Sequence, residues 1–298
     1  MKKILLFAVA LFIGLHTASA QDQDAVNRKI FDRVYAAVKD KADLPTGELA
    51  LEIAKQFLGT QYAYYTLEQE PEQLRVYLDK TDCILFVELC SSFALTVKGR
   101  RIVQAGDGEH YAVREESSVE KARPSYELLC HNIQNMRYRL GVVNGYGSRI
   151  HYTSEWLLQN QTNGILYEMS ETLGEPFNQS FFYMTTHKNV YKQLRGDDVQ
   201  SAVVKAAEDR LNLQAPYFYV SQKELRKDEI ISQIKDGDII CFVDYHPGLD
   251  LSHVAMACTG DDGQMHFIHA GTGLMKVAID PKTLADYATR GIRVSRLR

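Results

Sequence analysis

The sequence predicts an α+β fold, and two observations carry that reading. Apolar residues recur at helical spacing through the first third of the chain, whereas short strand-like runs, broken by turn residues, fill roughly the last seventy residues. Helices first and strands last argue against the alternating units of a parallel sheet. In "DAVNRKIFDRVYAAVK", Val26, Ile30, Val34 and Val38 form one stripe of a first helix over 24–39. "LPTGELALEIAKQFLG" reads as a second helix. Thr46 is its expected N-cap, Leu49, Ile53 and Phe57 its stripe, and Gly59 its stop. A loop rich in Tyr and Glu leads to a third helix, "DCILFVELC", opened by Asp82.

Between about 100 and 230 the pattern is mixed and reads as an inserted region. "RIVQAG", "RIHYTSEW" and "SFFYMTTH" are short strand-like runs, "SYELLCHNIQNMRYRLG" is helical, and 200–212 is one more helix. "GDIICFVDY", "SHVAMACTG", "QMHFIHAG" and "MKVAID" then form an antiparallel meander, with "PGLD" and "DDG" among the turns. No repeat or linker divides the chain, so residues 21–298 are expected to be one domain.

Residues 1–20, "MKKILLFAVALFIGLHTASA", have a basic start, an apolar run and small residues before Gln21. They are expected to be a signal peptide removed after Ala20. The run is too short to span a bilayer comfortably, so the chain is expected to be exported, unanchored and soluble in the periplasm. Lys and Arg total 34 against 38 Asp and Glu, for a formal net charge of −4. Dispersed, mildly acidic charge argues against nucleic acid and against a basic membrane-binding face. Of the five cysteines, Cys83 and Cys90 stand seven apart. On a helix that is ~10.5 Å of rise, too far for a disulfide. Cys241 and Cys258, on successive strands, could pair.

Cys83 follows a good N-cap residue and opens an apolar helix. Unpaired N–H groups at a helix start favour a thiolate, so the position suits a nucleophile, although a small buried Cys would look the same. A nucleophilic thiol needs a base. Strand alternation puts His253, Ala255 and Ala257 on one face, and Met265, Phe267 and His269 on one face with His266 opposite. Adjacent strands could set His253 beside His269, giving Cys83 as nucleophile, His253 as base and His269 as its orienting partner. A zinc reading from His253, His266, His269 and Cys258 is weakened by that alternation and by the lack of HExxH or CxxC spacing.

"FLGTQYAYYTLE", "TDCILFVE", "GDIICFV", "GLDLSHVAMAC" and "FIHAGTG", in that order, resemble the NlpC/P60 superfamily of papain-like cysteine peptidases and amidases. "RIHYTSEW" and the long gap between Cys83 and His253 resemble one branch more narrowly. That branch is catalogued as a domain of unknown function (DUF1460) and described as N-acetylmuramoyl-L-alanine amidase-like. The resemblance covers about residues 46–296. It implies helices packed on an antiparallel sheet or small barrel, and hydrolysis of the N-acetylmuramoyl-L-alanine amide in peptidoglycan fragments (muropeptides). It implies no metal or other cofactor. It also implies Cys83, His253 and His269 as catalytic residues, with Tyr62 at the Gly-x-x-Tyr position polarising the carbonyl. The chain departs from the usual pattern with Ile84 and Leu85 after the Asp-Cys pair and with Ala255 after "HV". Arg149, His151, Tyr152, Trp156, Thr186, His187 and Ser252 are the candidate substrate-binding residues, with Trp156 either a sugar platform or core. Competing readings are a γ-D-glutamyl-diamino acid endopeptidase and a catalytically idle wall-fragment binder. Small fragments are the expected partners, and the sequence leaves the oligomeric state open.

Overall fold

The computed structural model describes residues 22–106, 110, 119–214 and 216–298. The expected signal segment lies outside them. Helix α1 (22–38) and helix α2 (Thr46–Lys55) match the first two apolar stripes. Thr46 is not the cap of α2, because it already has helical backbone and Pro45 precedes it. Its hydroxyl instead donates to the Arg298 carbonyl at 2.7 Å, tying the helix to the chain's last residue. Two-residue strands β1 (Gln61–Tyr62) and β2 (Lys80–Thr81) follow, and then helix α3 (Cys83–Val97). Asp82 caps α3 by accepting the Leu85 N–H at 3.0 Å. From Leu85 onward every residue of α3 is buried. A helix apolar all round belongs in the centre, and α3 packs against α2, the sheet and the later helix α4.

The middle of the chain is more helical than its residues suggest. After β3 (Arg100–Ile102) and β4 (Val119–Lys121), α4 (Tyr126–Arg137) is capped by Ser125. "RIHYTSEW" does not form a strand: it enters α5 (Thr153–Thr162), followed by β5 (Leu166–Glu168) and α6 (Ser170–Leu173). After β6 (Glu175–Phe177), "SFFYMTTH" closes into the short helix α7 (Tyr183–Thr186). It packs on α8 (Asp198–Leu213), where buried Glu208 accepts from the Thr185 N–H at 3.1 Å. In both cases local hydrogen bonding overrides aromatic and β-branched strand propensity. Strand β7 (Tyr217–Tyr219) pairs with β6 and is followed by short helices α9 (Gln222–Leu225) and α10 (Asp228–Ile231).

The meander forms as expected: β8 (Ile239–Val243), β9 (Leu251–Thr259), β10 (Met265–Gly271) and β11 (Lys276–Ile279). After α11 (Leu284–Tyr287), a strand absent from the sequence reading, β12 (Ile292–Leu297), returns beside β8. The eight-stranded sheet runs β2-β1-β11-β10-β9-β8-β12-β5. Both faces are covered, which explains why its central strands read as nearly continuous apolar runs. Cys241, Val254, Met256 and Ile268 face the core shared with α2, α3 and α4. Ile240, Phe242, Ala255, Phe267 and Val294 face a second core under α6, α9 and α11. Cys241 and Cys258, which the sequence left able to pair, form no disulfide. Both thiols are free, because the register sets Cys241 opposite Val254, four residues from Cys258.

The "GD" at the head of β8 has two structural uses. Gly237, at φ +84°, lies so close to the Gly47 backbone that a Cβ there would collide with it. Buried Asp238 accepts from the Arg296 guanidinium at 2.7 and 2.8 Å, joining β8 to β12. A deeper clamp is Arg293 on β12, 1% exposed. It donates to both Glu168 oxygens at 2.6 Å and to Ser154 Oγ at 2.6 Å, so it links β12, β5 and α5. Arg293→Ala would leave Glu168 and Ser154 without their donor. Urea unfolding should show a loss of about 3–5 kcal/mol; a loss under about 1 kcal/mol would mean that the clamp does not hold the sheet edge.

Candidate active site

The hydrogen-bonded ladder between β9 and β10 stops at the pair Met256–Ile268. Beyond it β9 continues beside β8 to Leu251, and β10 continues beside β11 to Gly271. The two strands therefore part at the end that carries both histidines. The start of α3 meets the sheet there, and the Val254 N–H is directed at the Cys83 sulfur. The parting lets a side chain from the helix-covered face meet side chains of the other face, where His253 and His269 pack with Phe242, Phe267 and Tyr287.

Cys83, His253, His269, Tyr62 and Ser252 all line one cleft of about 380 Å³, together with Asp280 and Tyr287. His253 Nε2 lies 2.6 Å from His269 Nδ1, and His269 Nε2 lies 3.4 Å from Asp280 Oδ2. Asp280 escaped the sequence reading. It follows β11, and its N–H donates to the Phe267 carbonyl at 3.0 Å, which makes it a diagonal neighbour of His269. An acid just after the strand that pairs with the second-histidine strand was the signal available. Tyr287 was also missed. It sits on the four-residue α11, and its ring centre is 6.5 Å from that of His253 and 6.2 Å from that of His269.

These contacts assign the tautomers. The Asp280 carboxylate, at ion-pair distance from His269 Nε2, favours the proton on that nitrogen, which makes His269 Nδ1 the acceptor and His253 Nε2 the donor of the 2.6 Å bond. His253 Nδ1 is left bare and able to take a proton. The resting charges differ from the expected thiolate. Burial, reinforced by Asp82, pushes the Cys83 thiol up to about 12 despite the nearby backbone N–H groups. Burial, reinforced by His269, pushes His253 down to about 3, and burial lowers His269 against the pull of Asp280. The helix start therefore favours the anion less than desolvation opposes it, and the arrangement is a neutral thiol beside neutral imidazoles. Burial likewise holds the Tyr62 phenol well above its ordinary value, so it remains a donor.

A second cavity of about 290 Å³ adjoins the first through Tyr62 and is walled by Asp82 and Ile84 on either side of Cys83. Arg149, His151 and Trp156 line it. Arg149 pairs with Glu68 at 2.9 Å and Glu72 at 3.4 Å, and His151 Nε2 is 3.0 Å from the Tyr146 carbonyl. Trp156 is 3% exposed, so its ring is core and offers no platform. Tyr152 is placed away from both cavities, packed on Phe181 and donating to Glu208 at 2.8 Å. Thr186 and His187 also stand apart, on the exposed end of α7. There the Thr186 hydroxyl bonds the Phe182 carbonyl and His187 stacks on Tyr183. His266 points away from the cleft toward the Asp280 carbonyl and Asp262. Among the described residues, no three His, Cys, Asp or Glu side chains are disposed to hold a metal ion.

The sequence matches the N-acetylmuramoyl-L-alanine amidase-like family over residues 52–292. No curated protein matches it. The structure is similar to that of an N-acetylmuramoyl-L-alanine amidase from Bacteroides uniformis, with 28% identity and a TM-score of 0.72 over 85% of this chain and 99% of that one. It is also similar to a putative xylanase from Bacteroides fragilis, with 28% identity and a TM-score of 0.68 over 82% and 99%. A DUF1460 protein from Legionella pneumophila shares the fold at 18% identity and a TM-score of 0.60, over 94% and 95%. Fold and relatives together define the class, an amidase-like hydrolase. The chain belongs to the N-acetylmuramoyl-L-alanine amidase-like family.

Asp280→Ala should lower kcat about 10- to 100-fold with KM little changed, as loss of a residue that orients a catalytic group does. Because Asp280 raises the His269 pKa, its removal should also move the His269 proton NMR titration to lower pH. An unchanged or raised midpoint would contradict the assigned contact.

Proposed function

We propose that the protein hydrolyses the amide between the N-acetylmuramoyl lactyl group and L-Ala of peptidoglycan fragments, as a cysteine amidase of papain-like, NlpC/P60 type. The observation that carries the reading is the gathering of Cys83, His253 and His269 at the parting of β9 and β10, in a chain of this family. The Bacteroides uniformis relative, itself described as an N-acetylmuramoyl-L-alanine amidase, supports the choice of bond.

In this mechanism Cys83 Sγ attacks the lactyl carbonyl while its proton passes to His253 Nδ1. His269 and Asp280 hold the imidazole and spread the positive charge. The oxyanion is met by N–H groups at the start of α3 and by the Tyr62 hydroxyl. As the C–N bond breaks, His253 returns the proton to the leaving L-Ala amine, leaving a thioester on Cys83. Water, deprotonated by His253, attacks the thioester, and the thiolate leaves and is reprotonated. Because the resting pair is neutral, the proton moves during attack, with no thiolate stored beforehand. The apolar N-terminal segment supports export to the periplasm, where small wall fragments would be the substrate. In this reading Ser252, exposed on the cleft wall, contacts the substrate.

Incubation with N-acetylmuramoyl-L-alanyl-D-isoglutamine should yield free sugar acid and intact dipeptide by mass. Cys83→Ala should cut turnover by about 10⁴-fold or more with unchanged circular dichroism. Cleavage only within a longer stem peptide would favour the endopeptidase reading, and turnover retained in Cys83→Ala would remove the thiol mechanism. The kcat/KM profile should stay flat from pH 7 toward pH 5, because burial pushes His253, the proton acceptor, down to about 3 and also lowers His269. An acid limb centred near 6.5 would contradict that.

A further inference from the structure

Tyr287 lines the reactive cleft with Cys83, His253 and Asp280, yet the attack on the amide gives it no part. Its ring is fixed. The ring centre lies 4.9 Å from that of Phe242 and 4.8 Å from that of Phe267, in edge contacts, and the flanking Leu284 and Ala288 are buried in the same core. The Tyr287 N–H donates to the Thr283 carbonyl at 3.0 Å, which holds the backbone as well. The hydroxyl is different. Among the described residues it has no hydrogen-bond partner, and its oxygen is not sealed from the cleft. Burial holds the phenol above its ordinary value, and the Asp280 carboxylate and the Cys83 sulfur add to that, so the hydroxyl stands within electrostatic reach of both. The ring centre is 6.5 Å from that of His253, with no direct hydrogen bond between the two side chains. Polar groups that face one cleft at such a separation are of the kind that one water molecule bridges.

We propose that the Tyr287 hydroxyl is a catalytic group of the second half-reaction, where it holds the water that attacks the thioester on Cys83. This rests on the thioester mechanism proposed above. The amine departs with the proton that His253 gives it, so the space it vacates is the space that water must enter, and Tyr287 borders it. The phenol proton is drawn to the Asp280 carboxylate, which leaves the phenol oxygen free to accept one O–H of the water. The other O–H points at His253 Nδ1. As the water oxygen bonds to the thioester carbon, that second proton passes to His253 Nδ1. The C–S bond then breaks, and the sulfur takes the proton back. Tyr287 keeps its own proton throughout, as suits a phenol held above its ordinary value. His253, pushed down to about 3, is a weak base for water. A base that weak serves only a well-placed water, so the hydroxyl that places it governs the step. The two phenols of the cleft thus divide the work: Tyr62 meets the oxyanion and Tyr287 meets the water.

Tyr287→Phe keeps the ring on Phe242 and Phe267 and removes only the oxygen. In quenched flow with N-acetylmuramoyl-L-alanyl-D-isoglutamine, this variant should release a first equivalent of dipeptide at the unmodified enzyme's rate. It should then turn over about 10- to 100-fold more slowly, with the acyl group accumulated on the peptide containing Cys83 by mass. Hydroxylamine attacks a thioester without help from a base, so adding it should restore fast dipeptide release and yield the hydroxamate. A role in packing alone would slow the first equivalent as well, and hydroxylamine would not rescue it. Steady-state turnover within about twofold of the unmodified enzyme, a first equivalent slowed as much as the later ones, or no accumulated acyl group would overturn the proposal. The unmodified enzyme tests the parent reading separately. If it cuts an amide of the stem peptide instead, the amidase reading falls, and the same comparison made on that product still decides on Tyr287, because either amide passes through a thioester on Cys83. Turnover retained in Cys83→Ala would remove both.

Discussion

The structure depends on one interruption in a sheet. Strands β9 and β10 pair up to Met256 and Ile268 and then follow different neighbours. Had the ladder run on, the Val254 backbone would be committed to β10, and α3 could only pack over the sheet's face. Cys83 and the histidines would then lie on opposite sides of a closed layer. The parting lets the sulfur come from the face covered by α2, α3 and α4 and the imidazoles from the face covered by α6, α9 and α11. The surrounding burial disfavours the charged form of each of these groups. That burial follows from the same packing that keeps the parting in place.

The second cavity is built from a different part of the chain. The segment after Tyr62 supplies the aromatic mouth, and the long region between α3 and β8 supplies Arg149, Ile150, His151 and Trp156. Asp250 joins the two parts. Its buried carboxylate accepts the Ser154 N–H at 2.7 Å, fixing the start of α5 to the loop entering β9, three residues before His253. The two cavities are thereby tied to each other by a short buried hydrogen bond.

Much of this was legible in the residues. Asp82 before an apolar run marked the cap and the start of α3, and alternation around His253 and His269 set them on one face, where they meet at 2.6 Å. Other features depended on partners that a local pattern does not reveal. Asp280 matters only through strand pairing, and β12 is recognisable as central only once β8 has an open edge. Trp156 and Tyr152 lie in "RIHYTSEW" and were candidate substrate-binding residues, yet Trp156 turns its ring inward and Tyr152 anchors α8 through Glu208. The sequence showed the helix start that favours a thiolate but not the burial of α3 that opposes it.

The most direct test is rapid acid quench of turning-over enzyme, followed by mass analysis of the peptide containing Cys83. The account predicts a thioester of the N-acetylmuramoyl lactyl group on Cys83, formed by the unmodified enzyme and lost in His253→Ala. An adduct that forms equally fast without His253, or an acyl group carried by any residue other than Cys83, would contradict it.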